Sequence, residues 1–165
     1  MEKFIIAVYV ENKTGVLTRV AGMFTRRGFN IDTLTVGETE RSEYSRITIT
    51  MNGDEHVREQ IVNQLKKLYV VKRVEVLETE PIKRELMLIK VKNTADNRND
   101  IMTAVDVFRA SVIDYSVESM CIEVTGAPSK MDAFVKLMEP FGILEMCRTG
   151  VVALERGAKT LFTED

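Results

Sequence analysis

Apolar residues run almost unbroken from Phe4 to Val10, then recur at Val16, Leu17, Val20, Ala21 and Phe24. The first stretch is rich in Ile and Val and predicts a strand. The second places its apolar positions on one helical face, leaving Arg19, Arg26 and Arg27 to solvent. Gly28 suits the stop after such a helix. Ile31, Leu34 and Val36 predict a second strand that opens at Asn30 and closes at Gly37, and the polar run 38–43 reads as a hairpin loop. Residues 44–51 alternate, with Ile47, Ile49 and Met51 on one side and Arg46, Thr48 and Thr50 on the other, the pattern of a third strand. Asn52-Gly53-Asp54 turns into a helix carrying Val57, Ile61, Leu65 and Leu68, and residues 70–77 supply a fourth strand.

The order β-α-β-β-α-β is the ferredoxin-like arrangement, with both helices on one face of a four-stranded antiparallel sheet and open sheet edges. A polar stretch with Pro81 follows and reads as a linker over 79–85. The second half repeats the pattern: a strand over 86–91, then a helix over 97–110 with Ile101, Ala104, Val105 and Phe108 inward. Strands over 112–117 and 120–125 come next, then a helix introduced by Gly126-Ala127-Pro128-Ser129 and carrying Met131, Phe134, Val135 and Met138. Pro140 and Gly142 end that helix. A last strand over 143–154 bends at Gly150, and the polar tail from Arg156 is expected to be loose. The fold class is α+β, two ferredoxin-like βαββαβ domains over 1–78 and 86–165. Domains of about 80 residues bury little more than ~60% of their unfolded surface. With open edges as well, self-association through the first domain across a two-fold axis is expected.

Composition changes this picture little. The chain has 165 residues, 29% of them charged and 45% hydrophobic, with a net charge of −2. That balance gives no basic surplus to argue for nucleic acid or a membrane surface. No apolar run approaches the roughly 20 residues that span a bilayer, and the N-terminus enters a strand pattern directly, so a cytoplasmic protein is expected. Cys121 and Cys147 sit among apolar residues and read as reduced, buried thiols. His56 has no histidine or cysteine partner at ligand spacing and reads as a surface residue. No Ser/His/Asp or Cys/His set and no phosphate-binding glycine motif occurs. Gly157-Ala158-Lys159-Thr160 lacks the first glycine of such a loop, and Asp100 and Asp106 fit solvated charge on a helix flank.

The candidate chemistry lies in the turn at Glu11-Asn12-Lys13-Thr14-Gly15. It places the N–H groups of Gly15, Val16 and Leu17 at a helix start, which suits a small carboxylate. Asn12 and Asn30 offer amide carbonyls to an ammonium, and Leu17 and Ile31 could line a small apolar pocket. The alternative is that Asn12 and Gly15 serve only the turn, and Asn30 only the start of a strand.

The runs Val10-Glu11-Asn12-Lys13-Thr14-Gly15-Val16-Leu17-Thr18-Arg19-Val20 and Phe24-Thr25-Arg26-Arg27-Gly28-Phe29-Asn30-Ile31-Asp32-Thr33-Leu34-Thr35-Val36 resemble an ACT domain. More narrowly they resemble the small regulatory subunits of acetolactate (acetohydroxyacid) synthase. Arg84-Glu85-Leu86-Met87-Leu88-Ile89-Lys90-Val91, Asp114-Tyr115-Ser116 and Arg148-Thr149-Gly150-Val151-Val152-Ala153-Leu154 are similar to that family's C-terminal domain. The resemblance implies a non-catalytic chain that activates a separate catalytic (large) subunit and confers feedback inhibition by valine in branched-chain amino-acid biosynthesis. It implies no cofactor in this chain, and thiamine diphosphate, magnesium and FAD in the partner. It also implies a homodimer through the ACT domain, with valine at the interface on Asn12, Gly15, Val16, Leu17, Asn30 and Ile31, and a C-terminal domain that contacts or activates the catalytic subunit. The alternative is a stand-alone ACT-domain sensor acting on another enzyme or on transcription. A small enzyme of ferredoxin-like fold is the third reading, which turnover of pyruvate by the isolated chain would support.

Overall fold

The computed structural model describes residues 2–78 and 80–162. Thr79, within the expected linker, and residues 163–165 of the expected tail lie outside them. The chain divides into two compact units, one of residues 1–82 with 151–165, the other of residues 83–150.

In the first unit β1 (Glu2–Glu11) leads into α1 (Val16–Arg26), β2 (Thr33–Glu38), β3 (Tyr44–Gly53), α2 (Glu55–Lys66) and β4 (Val71–Leu77). The strands lie in the order β2-β3-β1-β4, all pairs antiparallel. Phe4, Ile6, Val8 and Val10 of β1 pack with Val16, Val20, Met23 and Phe24 of α1, with Ile47, Ile49 and Met51 of β3, and with Ile61 and Leu65 of α2. Asp54 caps α2, its Oδ1 accepting from the Val57 N–H at 2.9 Å.

The unbroken apolar run in β1 has a second cause, because its other face is covered as well. Ile5, Ala7 and Tyr9 pack with Leu77 of β4 and with Val151, Ala153 and Leu161 from the far end of the chain. The expected last strand is therefore two. β8 (Ile143–Arg148) stays with the second unit, while β9 (Val152–Leu154) and the residues after it belong to the first. The break falls at Gly150, whose φ of +83° a residue with a side chain rarely adopts.

Three expectations need correction here. Residues 151–162, expected with the C-terminal domain, group with the first compact unit. The described part of the tail is not loose: Leu161 is buried, Lys159 pairs with Glu75 at 3.3 Å, and Arg156 Nε donates to the Glu80 carbonyl at 2.8 Å. The linker is also shorter than 79–85, since β5 (Ile82–Lys92) has already begun.

The second unit continues from β5 into α3 (Arg98–Val107), β6 (Ser111–Tyr115), β7 (Ser119–Gly126), α4 (Pro128–Met138) and a 3-10 turn at Glu139–Phe141 before β8. Its strand order β6-β7-β5-β8 matches that of the first sheet. Met87, Ile89 and Val91 of β5 and Met120, Ile122 and Val124 of β7 meet Ile101, Val105, Met131, Phe134 and Met138 of the helices. Both halves are thus the expected ferredoxin-like βαββαβ units. The cysteines differ from expectation, Cys121 being half-buried and Cys147 exposed, both as free thiols. They pair in register with Lys90 and Leu88, whose side chains alternate away from the helix-covered face.

Candidate effector site

Gly15 is the N-cap of α1, with φ +84° and ψ −5°. It takes the left-handed conformation, which lets the chain leave β1 and start a helix within four residues. No side chain caps this helix, and its first turn carries no acidic residue. The first N–H groups of a helix have no acceptor within it and carry the positive end of its dipole, which suits an anion; of these, the Val16 N–H makes a long hydrogen bond to the Lys13 carbonyl, at 3.4 Å. A β-carbon built on Gly15 would meet no atom within 4 Å, so the approach to these donors is open. Val16 is buried in the core, whereas Leu17 is 44% exposed.

Asn12 is held from two sides. Its N–H donates to the Glu43 carbonyl and its Nδ2 to the Ser42 carbonyl, each at 2.8 Å. With one of its two amide N–H groups committed to Ser42, the Asn12 side chain keeps its Oδ1, an acceptor, and one donor. Glu11 anchors the loop from the other side through Lys72 Nζ at 2.7 Å and Lys13 Nζ at 3.0 Å.

The Lys72 ammonium, and after it that of Lys13, holds the Glu11 carboxyl below the ordinary glutamate value of 4.5. A group whose pKa falls on folding contributes stability above its unfolded pKa and loses it as pH drops through the folded value. Wild type and Glu11→Gln should therefore differ in thermal midpoint at pH 7, and the difference should shrink in acid as the pH falls from 4.5 through the lower folded value. Scanning calorimetry of the pair at pH 7 and in acid checks this. A gap that persists undiminished into acid would place the contribution of Glu11 outside these ion pairs.

Asn30 and Ile31 were expected to open the second strand, but that strand begins at Thr33. Both lie in the connection from α1, where Ile31 packs against the core and Asn30 is exposed. The pairing places them at the opposite end of the sheet from the loop. Thr33 pairs with Thr50 and the Asp32 N–H donates to the Thr50 carbonyl, whereas Glu11 pairs with Tyr44. The six steps from Tyr44 to Thr50 span roughly 20 Å at about 3.3 Å per residue. One chain therefore brings Asn12, Gly15, Val16 and Leu17 together and leaves Asn30 and Ile31 far from them. Nothing in the periodicity of the sequence could reveal that separation, which follows only from the register of β2 on β3.

The sheet edges differ. β4 carries Lys72, Arg73 and Glu75 and has a register shift against β1 at Tyr9/Val10, devices that protect an edge from further pairing. β2 has no Lys or Arg, keeps unbroken register with β3, and exposes Val36. The open edge is β2. Among the described residues, no group of three or more His, Cys, Asp or Glu could hold a metal ion, and no helix is long and apolar enough to cross a membrane. His56 is exposed, its Nε2 3.0 Å from Gln60 Nε2, and Asp100 and Asp106 are exposed on α3.

Residues 6–73 match the family model of the AHAS small subunit-like ACT domain, and residues 84–157 match that of the small subunit of acetolactate synthase. The chain is 50% identical over 157 residues to a probable acetolactate synthase small subunit of Archaeoglobus fulgidus, covering 95% of this chain and 99% of the relative. It is 48% identical over 155 residues to the acetolactate synthase small subunit of Mycolicibacterium smegmatis, covering 93% and 91%. The crystal structure of the acetolactate synthase small subunit from Thermotoga maritima superimposes with a TM-score of 0.91 at 39% identity, over 96% of this chain and 100% of that one. With both halves matched and both lengths spanned, the chain belongs to the family of acetolactate synthase small subunits.

Proposed function

We propose that this chain is the non-catalytic regulatory subunit of an acetolactate synthase. It activates a separate, thiamine-diphosphate-dependent catalytic subunit and makes it sensitive to valine. Thiamine diphosphate, magnesium and FAD belong to that partner chain in this reading, and none to this one. The effector is a free amino acid bound between two copies of the first unit. Its carboxylate takes the N–H groups of Gly15, Val16 and Leu17, its ammonium meets the carbonyl oxygens of Asn12 and Asn30, and Leu17 and Ile31 enclose its side chain.

The observation that carries this reading is the division of the site between the two ends of one sheet. An amino acid cannot bridge roughly 20 Å, so a single chain holds only half of each site. Antiparallel pairing of two β2 edges about a two-fold axis turns the second copy end for end. That rotation carries its Asn30 and Ile31 toward the loop of the first, and the dimer holds two complete sites. An effector bound at this seam shifts the assembly only by the difference in its affinity for two states, typically about 1–3 kcal/mol of coupling.

Calorimetric titration of the purified chain with valine, leucine and isoleucine tests the site, and sedimentation tests the dimer. Saturable valine binding at one molecule per chain, by a chain that sediments as a dimer, is expected. A monomer that binds valine at full affinity would remove the shared site. Co-purification with the thiamine-dependent catalytic chain tests the partner, and failure to associate would favour a free-standing sensor.

A further inference from the structure

The loop that carries Asn12 is not held by β1 alone. Both hydrogen bonds from Asn12 end on Ser42 and Glu43, in the hairpin between β2 and β3. That hairpin is closed on Tyr44, whose carbonyl accepts from the Thr39 N–H at 3.1 Å and whose N–H donates to the Arg41 carbonyl at 3.0 Å. The Tyr44 ring stacks on Tyr9, with centroids 4.8 Å apart and planes at 25°. The Tyr9 ring in turn receives Phe162 edge-on, centroids again 4.8 Å apart and planes at 86°. Leu161 is buried beside them, and Arg46, opposite Tyr9 in the strand pairing, donates from Nη2 to the Ala153 carbonyl at 2.7 Å.

A continuous line of contacts therefore runs from the C-terminal segment to the ligand-facing amide of Asn12. The seat of that segment is not tightly filled. A cavity of about 490 Å³ lies among Tyr9, Thr39, Arg46, Leu77, Leu161 and Phe162. Side chains beside such a space make fewer close contacts than in a packed core, and the segment can shift at smaller cost than a core strand.

We propose that Phe162 and Tyr44 are positioning residues for the effector loop. The docked C-terminal segment fixes the Tyr9–Tyr44 stack, the stack fixes the hairpin, and the hairpin holds Asn12 where its oxygen meets a ligand ammonium. This rests on the reading of the loop as the effector site. Coupling of this kind is reciprocal, so whatever the segment does for ligand affinity, the ligand does for docking of the segment.

The full-length chain tests this by calorimetric titration with valine and by amide hydrogen exchange with and without valine. Phe162→Ala and Tyr44→Ala should each weaken valine binding five-fold or more, at the low end of typical coupling. Tyr44→Phe, which keeps the stacked ring, should stay within two-fold of wild type. Because Phe162 is itself half exposed, its truncation leaves the helix-covered core intact. Valine should slow exchange at residues 157–162 as well as at the loop. A merely structural role would lower the melting temperature of the alanine variants and leave affinity unchanged. Variants that bind like wild type, or a segment whose exchange ignores valine, overturn the proposal while the site stands. A wild-type chain that binds no branched-chain amino acid overturns the site and this inference together.

Discussion

Gly15→Asp is expected to abolish valine binding and leave the protein folded. The substitution puts a carboxylate beside the N–H groups that would receive the ligand's own, in a position open to solvent and free of any atom within 4 Å of the new β-carbon. Like charges brought together at a binding site cost several kcal/mol, and at about 1.4 kcal/mol per ten-fold a penalty of ~3 kcal/mol lowers affinity about 100-fold. The structural penalty is smaller. Gly15 has φ +84°, where a side chain costs about 1–2 kcal/mol, and aspartate is among the residues that tolerate it best. In a unit of this size that lowers the melting temperature by some 4–8 °C per kcal/mol.

Gly15→Ala separates the two effects, since it carries at least the backbone strain of the aspartate variant and no charge. It should melt somewhat below the aspartate variant, because alanine tolerates the left-handed conformation less well, and still bind valine, less tightly than wild type. Calorimetric titration of the three proteins decides the matter. If Gly15→Asp binds valine as wild type does, the carboxylate of the effector is held somewhere other than the start of α1.

The core and the order of elements were readable because period-2 and period-3.6 patterns report which face of an element is buried. Ile47, Ile49 and Met51 alternate and face the helices, and Val16, Val20 and Phe24 do the same from the other side. The same patterns say little about what covers the second face of a sheet. Thr48 and Thr50 fall on the face opposite Ile47, Ile49 and Met51, yet both are buried, and the unbroken run in β1 is explained only once the segment after Gly150 is seen against Ile5, Ala7 and Tyr9. That segment returns to the first unit after the whole second unit has intervened. Its own signal, the apolar run Val151-Val152-Ala153-Leu154 with Leu161 and Phe162 beyond it, marks a strand but not the unit that the strand joins. The loop at Gly15 was legible for a different reason. A glycine between a strand and a helix has few other uses, and left-handed geometry followed. The distance from that loop to Asn30 was not legible, because strand register is a tertiary property fixed by pairing partners and not by local preference.

The largest stability effect is expected in the second unit, at Arg148. The Glu85 side chain is 2% exposed and would be a costly charge to bury alone. Arg148 answers it with two parallel hydrogen bonds, Nε to Oε1 at 2.9 Å and Nη2 to Oε2 at 2.7 Å, and its Nη1 reaches Asp132 on α4 at 2.7 Å. These carboxylates, Glu85 first, hold the guanidinium above the ordinary arginine value. Removing one partner of a buried pair leaves the other uncompensated, so Arg148→Met should destabilise this unit by about 3 kcal/mol at pH 7, the low end for such pairs because Arg148 is itself 28% exposed. Replacing both, Glu85→Met with Arg148→Met, should restore most of that loss, since apolar residues of similar volume can substitute for a buried ion pair. Asp132→Ala should cost less than about 1 kcal/mol, because the Asp132 side chain is 69% exposed and its attraction is screened by water. Urea unfolding of the four proteins, followed through exchange of the β5 and β7 amides, measures each step. If Arg148→Met is no less stable than Asp132→Ala, the Glu85 carboxylate finds water once its partner is gone, and the pair is not the pin that joins β5, β8 and α4.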